Sequence, residues 1–212
     1  MDFSNFRHSG ELSDLSVLVC DKEFKLHEFP LFIKSDFFRA LARSDSDRKV
    51  SLDAFPGGAV TFELVADFCY NIRIDVTREN VCELRCAAEF LQMNSRGNLV
   101  DKTDSVLVDL LTTAKLSRDY ELLGDLLCKC NTLGEISEQA KIVDKCILGV
   151  VDCLLLSIKY GRNVYEPESF WQATPEARQK LFQMPLKWFL ELFKSARDKA
   201  VRPAVLADLV QS

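Results

Sequence analysis

Two hydrophobic periodicities divide the chain. Near the N-terminus, apolar and more polar residues alternate over 15–19 and again over 24–27. A period of two predicts β-strands, and Asp21-Lys22 between these segments predicts the turn of a β-hairpin. From about residue 103 to the end, apolar residues recur only at helical spacing. The pattern therefore predicts a mixed first part and an all-helical second part.

The stretch from Pro56 to Met93 predicts a pair of helices at the centre of the first part. Gly57 and Gly58, after a proline, end the preceding segment and allow a helix to begin near Ala59. Apolar residues surround this helix as far as Tyr70, which is typical of a buried helix. Thr77 is the predicted N-cap of the next helix. Its apolar face comprises Val81, Leu84, Ala88 and Leu91.

Shorter elements complete the first part. Residues 29–42 predict a helical hairpin, in which Ser35 or Asp36 caps a helix that carries Phe37, Phe38 and Leu41. The polar run 44–49 predicts a loop. Short strands are predicted around residues 50–52 and 72–74. A small sheet flanked by helices is an α+β arrangement.

The polar segment 94–98 marks the predicted boundary between a first domain at 1–97 and a helical domain at 98–212. Three apolar stripes follow, and the nearly continuous apolar run 147–158 predicts the central helix. Residues 161–168 predict a loop. The stripes comprise Val106, Leu107, Leu110 and Leu111; Leu122, Leu123, Leu126 and Leu127; and Ile136, Ala140 and Val143.

Aromatic residues concentrate near the C-terminus. Trp171 and Phe182 precede a predicted amphipathic helix with i, i+4 pairs at Trp188/Leu192 and Phe189/Phe193. Packing between helices accounts for the three apolar stripes and for these aromatic residues better than a cofactor site does. A further helix is predicted from Ala204 to the last residue.

Composition narrows the class of protein. The chain has 212 residues, of which 48% are hydrophobic and 28% charged, and this content favours a folded core. Its formal net charge of −5 argues against nucleic acid as a partner. No run is long and apolar enough for a transmembrane segment, and no signal peptide is present. The chain is expected to be soluble and cytoplasmic.

Eight cysteines raise the alternatives of disulfides, zinc ligands or buried thiols. Disulfides need an oxidising compartment, which nothing in the sequence indicates. Cys82 with Cys86, or Cys128 with Cys130, lacks the spacing of a zinc knuckle. Most of the cysteines occupy apolar helical positions, where a free thiol acts as a small hydrophobic group. Neither a metal site nor a cofactor is predicted.

The sequence contains no recognisable catalytic constellation. A phosphate-binding glycine loop and a nucleophile elbow are both missing, and Gly57-Gly58 lacks the lysine and hydroxyl of a nucleotide loop. His27 is better explained by hydrogen bonding to nearby backbone than by base catalysis. A binding function is favoured over an enzymatic one.

The sequence motifs resemble those of the BTB (POZ) domain, and more narrowly of the plant phototropic-response (non-phototropic hypocotyl-like) family. The similar residues include the proline and two glycines at 56–58, Phe68-Cys69-Tyr70, Glu79-Asn80-Val81 and the run 84–89. The segments 26–31, 34–35, 97–99 and 102–103 are also similar to that family. The resemblance runs from Asp14 to the end and is looser after Cys146.

This resemblance implies a BTB domain followed by the start of the family's helical domain. It also implies an adaptor that recruits a cullin-3 ubiquitin ligase with one half and a target with the other. Family members act beside light-sensing receptor kinases, in auxin-type signalling, often at the inner face of the plasma membrane. The implied target is therefore a receptor kinase or another signalling protein. The candidate cullin-binding residues are Phe38, Arg39, Leu41, Arg43 and Tyr70, with Phe37 or Phe38 alternatively part of the core.

Three departures from the BTB pattern keep other functions open. The residues before Asp14 are too few for the N-terminal helix that many animal BTB domains exchange in dimers. Glu28 follows His27 where a basic residue is common, and we expect it to repel Asp14. The hydrophobic-x-Glu element of cullin binders is absent, since residues 41–44 occupy its place.

The alternatives are a self-associating scaffold without a ligase and, third, a transcriptional co-repressor. A homo-oligomer is compatible with the first alternative. Family members continue beyond the last helix, so we expect the chain to be a fragment or a shortened relative.

Overall fold

A computed structural model describes residues 4–41, 49–160, 175–203 and 205–207. The chain divides into two compact units, residues 1–107 and 108–212. The division falls within helix α6 (Leu99–Ser117), whereas the predicted domain boundary lies just before this helix.

The sheet of the first unit is built on the predicted hairpin. β1 (Leu15–Val19) pairs antiparallel with β2 (Lys22–Leu26) and parallel with β3 (Lys49–Leu52). Val17 lies opposite Phe24 on one side and Val50 on the other. The inward side chains of β1 and β2 are buried, as the alternation predicted. The turn lies one residue earlier than predicted, at Cys20-Asp21.

The helices of the first unit enclose the core beside this sheet. α1 (Ser4–Ser9), α2 (Glu28–Lys34), α3 (Asp36–Leu41), α4 (Gly58–Cys69) and α5 (Val81–Phe90) precede α6. Ser35 is the cap of α3, because the Phe38 N–H donates to its hydroxyl oxygen over 3.2 Å. The same hydroxyl donates to the Leu91 carbonyl over 2.6 Å and so ties the α2–α3 corner to the end of α5.

The predicted central helix pair is confirmed, with two corrections. Phe62 and the apolar face of α5 are fully buried, but Val60 is 77% exposed, so α4 is not apolar-buried all round. α5 begins at Val81 after Asn80, so Thr77 lies one turn before its N-cap position. The Thr77 hydroxyl oxygen accepts the Glu79 N–H over 3.3 Å, and its carbonyl accepts the N–H groups of Asn80 and Val81, so Thr77 caps the turn that leads into the helix.

Residues 72–74 form no strand, which corrects the prediction of one there. This segment has no regular secondary structure, and Ile74 is 5% exposed, so its isoleucines serve packing. The Ile72 N–H donates to the Asp67 carbonyl over 2.9 Å at the end of α4. This N–H group is therefore not available to pair with a neighbouring strand. Alternation alone cannot distinguish this packed segment from a paired strand.

The start of α4 depends on Gly57, because its φ of 74° is left-handed. A Cβ added there would lie 2.1 Å from the Thr61 hydroxyl oxygen. Gly57→Ala is therefore expected to destabilise the first unit by roughly 1–2 kcal/mol. Urea denaturation measures this, with Gly97→Ala as the control, since Gly97 has a φ of 73° but a Cβ added there would have no atom within 4 Å. Equal losses for both variants would show that φ alone matters.

The second unit consists of helices in its described part. After α6 come α7 (Tyr120–Leu133), α8 (Glu135–Gln139), α9 (Ile142–Tyr160), α10 (Pro175–Phe182) and α11 (Leu186–Asp198). The stripe of α7 is buried, and α9 is the central helix as predicted. The third predicted stripe belongs to two helices, because Lys141, at a φ of 56°, separates α8 from α9.

The amphipathic helix at 186–198 is confirmed. Trp188 and Leu192 are buried, whereas Lys187 and Lys194 are exposed. The Trp188 indole N–H donates to the Glu138 carboxylate over 2.8 Å, which links α11 to α8. Of the loop predicted at 44–49, Lys49 instead begins β3, and the other residues lie outside the described residues. The predicted loop at 161–168, Trp171 and most of the last predicted helix also lie outside them.

Candidate protein-docking surface

The five candidate binding residues have different positions in the structure. Arg43 lies outside the described residues. Phe38 and Tyr70 are each 2% exposed and belong to the core of the first unit. Their side chains therefore offer a partner almost no surface in this conformation. Arg39 and Leu41 are half-buried on α3.

Phe38 is part of an aromatic core. Its ring meets that of Phe37 edge-on, with centroids 5.4 Å apart. Phe37 in turn lies 5.8 Å from Phe90 and is only partly buried against the core. The sequence left open whether Phe37 or Phe38 belongs to the core instead of the interface. Phe38 is the one that is fully part of the core.

Tyr70 joins the end of α4 to the start of α2. Its hydroxyl oxygen accepts the His27 backbone N–H over 2.7 Å and lies 2.8 Å from His27 Nδ1. The His27 Nε2 atom lies 2.9 Å from the Glu11 carbonyl oxygen. A neutral imidazole with its hydrogen on Nε2 satisfies all three contacts. Burial raises the pKa of the Tyr70 phenol, against the lowering effect of its hydrogen bond with the His27 backbone.

Arg39 is fixed by its own hairpin. Its guanidinium pairs with Asp36 and donates to the carbonyl oxygens of Phe32 and Ile33, each over 3.3 Å. It also lies 5.5 Å from the centre of the Phe32 ring. These contacts hold the side chain in one orientation at the surface, where 37% of it is exposed. A pre-oriented arginine of this kind suits a protein interface.

A second surface feature, the α2 groove, was not anticipated from the sequence. Its walls are α2 and the end of α4, and it encloses about 160 Å³. Phe29 and Ile33 are 59% and 49% exposed at its rim. Their spacing of four residues on a predicted helix was the signal that could have indicated it. The lining residues are Phe29, Pro30, Ile33, Lys34, Cys69, Tyr70 and Asn71.

Asp14 and Glu28 meet in a way that the sequence did not predict. The Glu28 backbone N–H donates to the Asp14 carboxylate over 2.7 Å. Asp14 thus accepts a hydrogen bond from the first turn of α2, which is favourable for an anion at a helix N-terminus. Repulsion between the two side chains stays a prediction, whereas the contact that the structure describes is this hydrogen bond to the backbone.

The cysteines and the acidic side chains are candidates for other sites. Most of the cysteines are buried as predicted, although Cys20 is exposed and Cys128 half-buried. Burial raises the pKa of the Cys69 and Cys86 thiols to about 12.

Within the described residues, no group of three or more side chains could hold a metal ion. No helix in that part of the chain meets the length and hydropathy needed to cross a membrane.

Comparison with known families decides the identity. The BTB/POZ domain model matches residues 3–108, half of the chain. This chain belongs to the BTB/POZ family. More narrowly, it is a BTB protein of the plant phototropic type, as the predicted resemblance indicated. BTB domains are protein-interaction modules that often form oligomers.

Three relatives from Arabidopsis thaliana extend the similarity into the helical half. BTB/POZ domain-containing protein At5g03250 is 35% identical over 204 residues, or 86% of this chain and 33% of the relative. Root phototropism protein 2 is 30% identical over 208 residues, or 93% of this chain and 32% of the relative. BTB/POZ domain-containing protein SR1IP1 is 39% identical over 142 residues, or 64% of this chain and 23% of the relative. The BTB chain spans about a third of the length of the first two.

Proposed function

We propose that this BTB protein is a non-enzymatic adaptor. Its BTB unit binds cullin-3 through the outer face of α3, and its helical unit recruits a signalling protein, such as a receptor kinase, for ubiquitination. It acts in the cytoplasm, in part at the plasma membrane. The match to the BTB/POZ domain is the observation that carries this proposal.

The surface of α3 supports the cullin half of the proposal. Phe38 and Tyr70 form the interior support, and Arg39 and Leu41 supply the outer contacts. Because Arg39 is already held by Asp36 and two carbonyl oxygens, binding a partner costs little further side-chain entropy. Arg43 stays a candidate from the sequence alone, because it lies outside the described residues.

Charge reversal on α3 tests this surface. Arg39→Glu is expected to weaken binding of the purified cullin-3 N-terminal domain by roughly ten- to a hundredfold, because arginine is a frequent interface anchor. Titration calorimetry measures the loss. Arg73→Glu is the matched control, since the Arg73 side chain is 91% exposed and its nearest carboxylate oxygen, on Asp75, is 3.7 Å away.

Two other outcomes count against this assignment. Equal weakening by both variants would mean that net charge, and not the α3 surface, controls binding. No binding by the unsubstituted chain, together with oligomers in light scattering, would favour a self-associating scaffold. A transcriptional co-repressor stays third, because Glu28 occupies the position of the usual basic residue.

A further inference from the structure

Two lysines flank one aromatic ring beside the α2 groove. The Lys34 ammonium lies 5.3 Å from the centre of the Phe68 ring, and the Lys102 ammonium lies 6.0 Å from it. Lys102 also donates to the Ile74 carbonyl over 2.9 Å. Among the described residues, no carboxylate oxygen lies within the 4.0 Å of an ion pair with either lysine. The pair is a local positive charge that the described part of this unit does not neutralise.

The α2 groove begins at the first of these lysines. Lys34 lines it together with the exposed Phe29 and Ile33. Its volume of about 160 Å³ is well below the roughly 300–1,000 Å³ of pockets for drug-sized ligands. A space of this size accepts one side chain, and its apolar rim favours an aliphatic one.

Hydrogen bonds hold both walls of the groove in place. The Asn98 side chain, 3% exposed, donates to the Lys34 carbonyl over 2.7 Å and fixes the end of α2. The His27–Tyr70 contacts fix the end of α4 against the start of α2. The groove is therefore formed before any partner arrives, which lowers the cost of binding.

We propose that the α2 groove and the Lys34–Lys102 pair together bind an acidic amphipathic helix of a partner protein. One aliphatic side chain of that helix enters the groove. An Asp or Glu one turn away, about 5–6 Å along the same face, meets the lysines. Charge complementarity selects this occupant over a symmetric contact with a second copy of the chain, which would bring lysines against lysines. The proposal is distinguishable from cullin binding, because neither Arg39 nor Leu41 lines the groove, although Tyr70 lines it and also supports the α3 surface from within.

A designed peptide tests the charge requirement. The probe is a fluorescein-labelled helical peptide of about 15 residues, with leucines on one face and glutamates one turn from them. The double variant Lys34→Glu/Lys102→Glu is expected to bind it at least about tenfold more weakly in fluorescence anisotropy. The control Lys25→Glu/Lys49→Glu changes the net charge equally at exposed positions of the sheet and is expected to bind normally.

A second pair of variants tests the groove itself. Ile33→Ala removes three carbon groups at the rim and is expected to weaken peptide binding about tenfold, because the partner buries only part of the lost surface. Val60→Ala is the control, because Val60 is 77% exposed elsewhere on α4. Circular dichroism of each variant establishes that the fold is retained.

Three results would overturn the proposal. The first is equal affinity for a peptide whose glutamates are replaced by glutamine. The second is a chain that does not bind the peptide but binds phosphatidylserine vesicles, with vesicle binding lost in the double variant. That result would identify an anionic membrane as the occupant. The third is a dimer that Ile33→Ala dissociates. Loss of cullin binding alone leaves the peptide result unchanged, so failure of the two proposals is distinguishable.

Discussion

Tyr70→Ala is expected to destabilise the first unit by about 3–5 kcal/mol, as large-to-small substitutions of buried aromatic residues do. Only 2% of Tyr70 is exposed, so its ring is part of the core despite its place in the predicted docking surface. Alanine would also remove the hydroxyl that accepts the His27 backbone N–H. A typical domain has a free energy of unfolding of roughly 5–15 kcal/mol, so a loss of this size raises the population of the unfolded first unit.

The measurement has to separate the two units. Both tryptophans, Trp171 and Trp188, belong to residues 108–212, so tryptophan fluorescence reports on the second unit. Hydrogen exchange of the β1 and β2 amides reports on the first. We expect Tyr70→Ala to accelerate exchange in the strands and to leave the thermal transition seen by fluorescence nearly unchanged.

Tyr70→Phe separates the ring from its hydroxyl. This variant keeps the buried ring but leaves the His27 N–H without its acceptor, at an expected cost of about 1–3 kcal/mol. Phe29→Ala is the exposed aromatic control, since Phe29 is 59% exposed and is expected to cost less. A Tyr70→Ala variant with native exchange rates and weakened cullin binding would return Tyr70 to the interface.

Tyr70 also illustrates what the sequence could not predict. A tyrosine serves equally well as an interface anchor or as a buried ring with a bonded hydroxyl. The choice depends on His27, which lies 43 positions away. Periodicity reports on neighbours along one element and contains no information on such a pairing.

The same reasoning explains which elements were predicted correctly. The hairpin of β1 and β2 and the helix α5 have strong periods, because one face of each is buried. Helix α4 was predicted from the glycines before it and from its dense apolar content. Residues 72–74 share the alternation of a strand but have no strand beside them among the described residues. Helix α1 has six residues, too few for a recognisable period.

What holds α1 is a tertiary contact. Arg7 Nε lies 2.9 Å from an Asp67 carboxylate oxygen, and the guanidinium donates to the Glu63 carbonyl over 3.3 Å. Arg7 is 6% exposed, so a polar N-terminal segment contributes a buried cation to α4. The segment before Asp14 therefore contains a short helix, α1, which this ion pair attaches to α4.

The candidate site was predicted only in part. The family resemblance directed attention to α3, where Arg39 and Leu41 do lie at or near the surface. The α2 groove was missed because Phe29 and Ile33 were only placed within a predicted helical hairpin, with no prediction of which of its side chains are exposed. Their exposure is a tertiary property, decided by which face of α2 packs on α4. The same holds for Lys34 and Lys102, which are 68 positions apart in the sequence yet flank one ring.

Arg85→Ala is expected to be the second most damaging substitution, because Arg85 is a buried cation in the middle of α5. Its side chain is 8% exposed and contacts two carboxylates, Glu89 at 2.8 Å and Asp104 at 3.1 Å. Asp104 belongs to α6, so the contact joins two helices of the first unit. Removing one partner of a buried pair typically costs about 3–5 kcal/mol. Glu89 and Asp104 are each about a third exposed and can be hydrated, so we expect about 2–3 kcal/mol here.

Two further variants distinguish charge from packing at this site. Arg85→Met keeps most of the buried stem, and Asp104→Asn keeps the shape of one partner while it removes the charge. If the ion pairs dominate, Arg85→Met loses nearly as much stability as Arg85→Ala, and high salt reduces the difference between each variant and the unsubstituted chain. If the stem dominates, Arg85→Met is close to native and salt has little effect. Hydrogen exchange in α5, measured at low and high salt, separates the two cases. A loss below about 0.5 kcal/mol for Arg85→Ala would place it with ordinary surface substitutions and contradict the burial of its side chain.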